Sequence, residues 1–358
     1  MLALPPALRR RRGGPRLERA VARPPSREGA MGWRASAAAG LAAIVLLLGG
    51  LGPADAQKRR LAMGCTQTAS SHYAYCVGAA KAINLAVPDA DVTVVETGAT
   101  VDNLKRMLKG TLDYGLVTVE QVYLAWKGQE HWKEAPFPDI RLLWVYTVSA
   151  NYVVVREETG IKSVYELTGK KFNPGIRGSA TEKMTEVVLT ELGIKPDWQR
   201  MGTADAVDAM KDKRIVGYAK AGNGFALDAS TLDIATATPV RVLPFTEAEM
   251  KKLKALRPHI PWVKVPAGSI KGMGEFWTTG IIVGFAAPRT FPDELVYRLV
   301  KAVAEGLEHQ KAAFKGTADD IPRLTVETAQ SPLHAGAVRY YRDRGLRLPD
   351  HLVPPEAR

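Results

Sequence analysis

Residues 173–184, "NPGIRGSATEKM", place two glycines, an arginine and two hydroxyl side chains just ahead of a helical pattern. The backbone N–H groups of Ser179, Ala180 and Thr181 would be unpaired donors at a helix start. Together with the helix dipole they favour an anion by about 0.3–1 kcal/mol each, and by up to about 2 kcal/mol when partly buried. Arg177 can add a bidentate contact to a carboxylate. The stretch Arg177, Gly178, Ser179, Ala180, Thr181 therefore reads as a seat for an anion. It reads equally well as a tight turn, with Ser179 and Glu182 at capping-box spacing and Arg177 in water.

Three further helix entrances share this character. "TASSHYAYC" offers Ser70, Ser71, His72, Tyr73 and Tyr75, a set of hydroxyls, one ring nitrogen and flat surfaces. "ETGATVDNL" groups Thr97, Thr100 and Asn103, with Thr100 a natural helix cap. "YAKAGNGF" sets Lys220 and Asn223 around a glycine-rich turn at a strand end.

Bond-making chemistry has no comparable signature. The six histidines, His72, His131, His259, His309, His334 and His351, are scattered, with no metal-ligand spacing and no cysteine cluster. There is no G-x-S-x-G elbow, no Walker loop and no dinucleotide glycine fingerprint. The expectation is a binding protein without enzyme activity, with no cofactor and no metal.

The segments that must position these residues alternate between strand and helix. "RRLAMG", "DVTVVET", "LDYGLVTV" and "IRLLWVYTV" read as strands. Between them lie a polar loop at 65–76, a helix with Val77, Ala80 and Ile83 in phase, and a second with Val101, Leu104 and Leu108 in phase. The alternation restarts near residue 145. "YVVVRE", "KKFNPG" and "IVGYAKAG" are its strands, and a helix with Met184, Val187, Val188 and Leu192 on one face ends at Gly193. Ser163 and Glu166 have capping-box spacing. A strong amphipathic helix follows with Leu295, Leu299, Val303 and Leu307 in phase. Two α/β lobes with largely parallel sheets are expected, joined by strands crossing near 142–150 and 238–245, with a third crossing near "GIIVGFAAP". In such proteins the ligand lies in the cleft at strand carboxyl ends.

The bulk properties bound the class. The 358 residues are 46% hydrophobic, a globular composition long enough for two domains. The net charge of +12 is divided evenly: residues 1–56 hold nine Arg against three acidic side chains, which leaves a modest excess beyond them. That excess is spread along the chain and does not mark a nucleic-acid surface. Residues 31–56 show a positive start at Arg34, an apolar run from about Ala35 to Leu51 and Ala54-Asp55-Ala56 as a small-x-small end, the three parts of a cleaved signal peptide. Export to the periplasm with cleavage near Ala56 is expected. Cys65 and Cys76 could pair in an oxidising compartment or remain two buried thiols.

Three motifs in order resemble the TAXI class of solute receptors. "GATVDNLKRMLKGTLDYGLVTVEQVYLAWKG" resembles that family's T-G-G-S-x-x-N-L…G-x-x-D-x-G segment. "ETGIKSVYELTGKKFNPGIRGSATE" is similar to its S-G-I…G-K…G-S-G-T-E segment, and "PLHAGAVRYYRDRGL" to its H-p-G-A-x-x-Y-Y-x-E-x-G tail. The resemblance spans about residues 61–346. It implies a periplasmic receptor of a tripartite ATP-independent (TRAP) transporter, which carries a small organic anion, a dicarboxylate or acidic amino acid, to a membrane permease. The departures concern the pocket wall: Ser71 and His72 stand for glycines, Ala74 for a tyrosine, Cys76 for a proline, "GAT" for G-G-S at 98–100, and Ala180 for a glycine.

The expected architecture is α/β, a two-lobed periplasmic-binding-protein (type II-like) fold with the ligand cleft between lobes. Residues 57–144 with about 276–358 would form lobe 1, 145 to about 245 lobe 2, and 246–275 a hinge-proximal segment. The ligand's carboxylate would meet Arg177, Gly178, Ser179, Ala180 and Thr181, with Lys220 nearby. Ser71, His72, Tyr75, Thr100 and Asn103 would close over its other end, in a monomer. A binding protein of an ATP-driven importer or sensor, a secreted enzyme on the same fold, and an effector-binding regulatory domain are the rival readings.

Overall fold

The computed structural model describes residues 58–358; the leader and its cleavage site lie outside them. β1 (Arg59–Gly64), α1 (Ser71–Ala86), β2 (Ala90–Val95), α2 (Thr100–Leu108), β3 (Tyr114–Thr118) and α3 (Val119–Lys127) lead into β4 (Ile140–Arg156). β5 (Lys171–Asn173), α4 (Ala180–Glu191), β6 (Asp197–Trp198), α5 (Thr203–Lys211), β7 (Gly217–Ala221), α6 (Ala229–Ala237), β8 (Val240–Leu243), α7 (Glu247–Leu256) and β9 (Trp262–Val265) follow. β10 (Phe276–Pro288) and the helices α8 (Asp293–Glu305), α9 (Leu307–Ala313), α10 (Ile321–Thr328) and α11 (Ala335–Asp343) complete the chain.

All ten strands belong to one sheet, ordered β2-β1-β3-β10-β4-β7-β5-β6, with β8 on β4 and β9 on β10. The outer groups are parallel: β1 with β2 and β3, β5 with β6 and β7. The two long strands are antiparallel to each other and to their neighbours. β4 runs as one strand where the sequence suggested two, because Ser149, Ala150 and Asn151 are buried and paired rather than turned into a loop.

β4 and β10 thread two hydrophobic regions. One core takes residues from 61–146 and 281–353. The other side holds two clusters, one from 153–260 and one from 150–276, on the far halves of the same strands. The crossings are therefore near 147–150 and 280. The segment near 238–245 does not cross: β8 pairs with Val153–Arg156 of β4. Residues 246–275 contribute Leu253 and Ile260 to one of these far clusters and Val265 and Ile270 to the other.

Helix phases shift in two places. α1 starts at Ser71, so His72, Tyr75, Cys76, Ala79, Ala80 and Ile83 form the buried stripe at helical spacing, while Val77 is exposed. Of the expected polar loop at 65–76, residues 65–70 are loop and residues 71–76 are the start of that helix. In α2, Met107 is buried and Leu108 is exposed. The capping box at Ser163 and Glu166 forms as expected. Thr100 is not a cap; it is the first helical residue, and Ala99 takes the cap position at φ 68°.

Candidate functional site

Parallel strands deliver their carboxyl ends, and the helix entrances after them, to the middle of the sheet. There the chain lines a cavity of about 50 Å³. One side is made by Thr66, Ser70 and His72 after β1, Ala99 and Thr100 at α2, and Leu116 and Thr118 of β3. The other is made by Ile176, Ser179, Ala180 and Thr181 at α4, with Ala219, Lys220 and Ala221 of β7. Ile281 and Val283 of β10 form the floor.

Hydrogen bonds hold the two sides together. The Ser71 N–H donates to Asp228 Oδ2 at 2.8 Å, and the Ala229 N–H donates to Ser71 Oγ at 2.9 Å. The Val101 and Asp102 N–H groups both donate to the Gly178 carbonyl, at 3.0 and 3.1 Å. Gly178 has φ 82°, a left-handed conformation that turns this carbonyl toward α2 at no steric cost. Gln67 accepts from the Thr203 N–H.

At α4, Ser179 Oγ caps the helix by accepting the Glu182 N–H at 3.1 Å. Glu182 reaches back to the Gly178 N–H at 2.8 Å, one residue earlier than a capping box requires. The N–H groups of Ala180 and Thr181 have no acceptor among the described residues. They remain available, as the sequence pattern suggested.

Lys220 brings the charge. Only 5% of it is exposed, and its Nζ lies 3.5 Å from Asp228 Oδ1. Burial alone would raise the Asp228 carboxyl. Lys220, the Ser230 side chain and the Ser71 N–H outweigh that and hold it below its usual range. Asp228 also caps α6 through the Ser230 N–H at 3.0 Å.

His72 is fully enclosed. Its Nδ1 shares a hydrogen bond with the Tyr146 hydroxyl at 2.6 Å, and its Nε2 has no partner. Burial, opposed by Asp228 and aided by Lys220, lowers its pKa to about 4. The imidazole is therefore neutral at pH 7. Thr118 Oγ1, on the same cavity wall, is likewise buried without a partner.

Of the eleven residues expected to meet the ligand, His72, Thr100, Ser179, Ala180, Thr181 and Lys220 line this cavity. Five others do not. Arg177 is exposed, and its guanidinium donates to the Arg200 carbonyl at 3.1 Å. Gly178 and Ser71 serve the contacts between the two sides. Tyr75 is a core residue: its hydroxyl donates to Gln310 Oε1 at 2.7 Å, accepts from Trp144 Nε1 at 3.2 Å, and its ring stacks on Tyr146. Asn103 ties strands together, its Nδ2 donating to the carbonyls of Cys65 and Leu116 at 2.7 and 2.8 Å. Thr66, Thr118, Asp228, Ile281 and Val283 carried no local signal, although Thr118 at a strand end beside a helix start could have been suspected.

Cys65 and Cys76 form a disulfide with Cα atoms 6.3 Å apart, pinning α1 to the end of β1. No helix among the described residues is long and apolar enough to cross a membrane.

Residues 63–345 match the model of the NMT1-like family. Among solved structures, the chain is similar to periplasmic binding protein BugD, at 13% identity and a TM-score of 0.52 over 81% of this chain and 99% of that one. It is also similar to a protein of Bordetella bronchiseptica RB50, at 15% identity and a TM-score of 0.52 over 84% and 94%. A third similar structure is a periplasmic transporter, at 14% identity and a TM-score of 0.50 over 79% and 94%. The fold is that of the periplasmic binding proteins.

Proposed function

The chain belongs to the NMT1-like family, and on that footing we propose that it is a periplasmic solute receptor. It binds a small organic anion between two lobes and hands it unchanged to a membrane permease. Residues 58–146 with 280–358 act as one lobe and 150–276 as the other, hinged on β4 and β10. The observation that carries this reading is Lys220, a buried ammonium on the wall of a cavity sealed from both sides by Ser71–Asp228 and Gly178–Val101.

The anion's charge rests on Lys220 and on the unpaired N–H groups of Ala180 and Thr181. A charge-assisted bond contributes about 1.5–3 kcal/mol. Moving the lobes from 1:99 to 99:1 closed takes about 5.5 kcal/mol of differential binding, so two or three such bonds are enough. No bond in the ligand needs to break for this role, and His72 is held by its bond to Tyr146.

The TRAP-type permease is the partner that the TAXI-like motifs support, with delivery by a monomer; an ATP-driven importer is the alternative. Export is supported by the signal-like residues 31–56 and by the Cys65–Cys76 bond, which suits an oxidising compartment. A thermal-shift panel of short organic acids, amino acids and sugars tests the reading. An acid at a hundred times its dissociation constant stabilises the protein by about 2.7 kcal/mol. A response confined to neutral sugars would overturn it.

A further inference from the structure

We infer that the ligand is a short acid with a single negative charge and one neutral hydrogen-bonding group, rather than a dicarboxylate or acidic amino acid. This rests on the receptor reading above and concerns the same cavity. Among the described residues, Lys220 and His72 are the basic side chains that line it. The Lys220 ammonium lies 3.5 Å from Asp228, so the pair is already neutral before any ligand arrives. One carboxylate can still be held, by Lys220 and the two free N–H groups at α4. A second carboxylate would meet no cation. An unpaired buried carboxylate is strongly disfavoured, and the charge of Asp228 repels it further.

The opposite side is apolar at Leu116 and over the floor of Ile281 and Val283, and carries the polar side chains of Thr66, Ser70, His72, Thr100 and Thr118. His72 Nε2 and Thr118 Oγ1 are buried polar atoms without partners. Buried polar atoms in folded proteins are nearly always satisfied, so these two call for a polar atom on the ligand. The imidazole and the Thr118 hydroxyl supply no positive charge, so they suit a hydroxyl or carbonyl and do not provide the cation that a second buried carboxylate needs. The cavity is small, about 50 Å³, which suits a short acid.

Titration calorimetry of the protein against 3-hydroxybutyrate, 2-oxobutyrate, butyrate, succinate and L-glutamate tests this. We expect 3-hydroxybutyrate or 2-oxobutyrate to bind at least ten-fold more tightly than succinate and glutamate, with butyrate weaker than the better of the two. In Thr118→Val the better acid should fall toward butyrate. Succinate or glutamate binding as tightly as the best singly charged acid overturns the inference and leaves the anion receptor standing. Failure of all five acids to bind overturns both.

Discussion

The ammonium of Lys220 lies 3.5 Å from the carboxylate of Asp228, and the other oxygen of that carboxylate receives the N–H of Ser71 from across the cavity. A single buried pair thus joins the cavity wall to the contact that keeps the cavity shut. Lys220→Met removes the cation and leaves Asp228 buried without it. We expect a ten- to hundred-fold loss of affinity for an organic acid, matching about 1.5–3 kcal/mol. The ligand-free protein should also lose about 3–5 kcal/mol of stability. Calorimetry and chemical denaturation read the two effects separately; unchanged affinity would remove Lys220 from the site.

Arg177→Ala should do almost nothing. The guanidinium is exposed and touches only the Arg200 carbonyl. Surface substitutions of this kind stay within about 0.5 kcal/mol, or about two-fold in affinity. A ten-fold loss in calorimetry would return Arg177 to the cavity.

His72 makes stability depend on pH. Its folded pKa of about 4 lies below the ordinary 6.5 because burial disfavours the charged ring. The stability it contributes is complete above 6.5 and is lost as pH falls from 6.5 toward 4, by roughly 3 kcal/mol in all. Glu120, pushed up to about 7 by burial, tilts the profile the other way. Its contribution is greatest below about 4.5 and is lost as pH rises through 7. Comparing the protein with His72→Gln isolates the histidine: the fall between pH 6.5 and 4 should be shallower in the variant. Parallel profiles would contradict a neutral buried imidazole.

Ala99 holds φ 68° and ψ −148° at the entrance of α2, a conformation suited to glycine. Strain of this kind costs about 1–3 kcal/mol. Ala99→Gly relieves it at the expense of unfolded-state entropy, for a net gain near 1 kcal/mol. A higher melting temperature for the variant supports this, and a lower one refutes the strain. Ala99 also lines the cavity, so the variant should admit acids one methylene longer.

How much of this was legible in the sequence follows a physical line. The helix entrances at Thr100 and Ser179–Thr181 were readable because unpaired N–H groups are a local property of any helix start. The direction of a long side chain is not local. The turn at Gly178 sends Arg177 outward to Arg200, and nothing between residues 173 and 184 reveals that. Tyr75 and Asn103 looked available because their partners, Gln310 and the Leu116 carbonyl, come from distant segments. Asp228 escaped for the same reason: its role appears only when β7 and the start of α1 meet. The strand–helix alternation was plain, whereas the continuity of β4 depended on tertiary burial of Ser149 and Asn151.

Native mass spectrometry of the purified protein and of Lys220→Met, followed by identification of whatever small molecule each releases on denaturation, addresses the anion site most directly. The intact protein should release one short organic acid per chain, chemically unchanged, and Lys220→Met should release none. Release of a neutral solute, or equal occupancy by the same acid in both proteins, would contradict an anion held on Lys220.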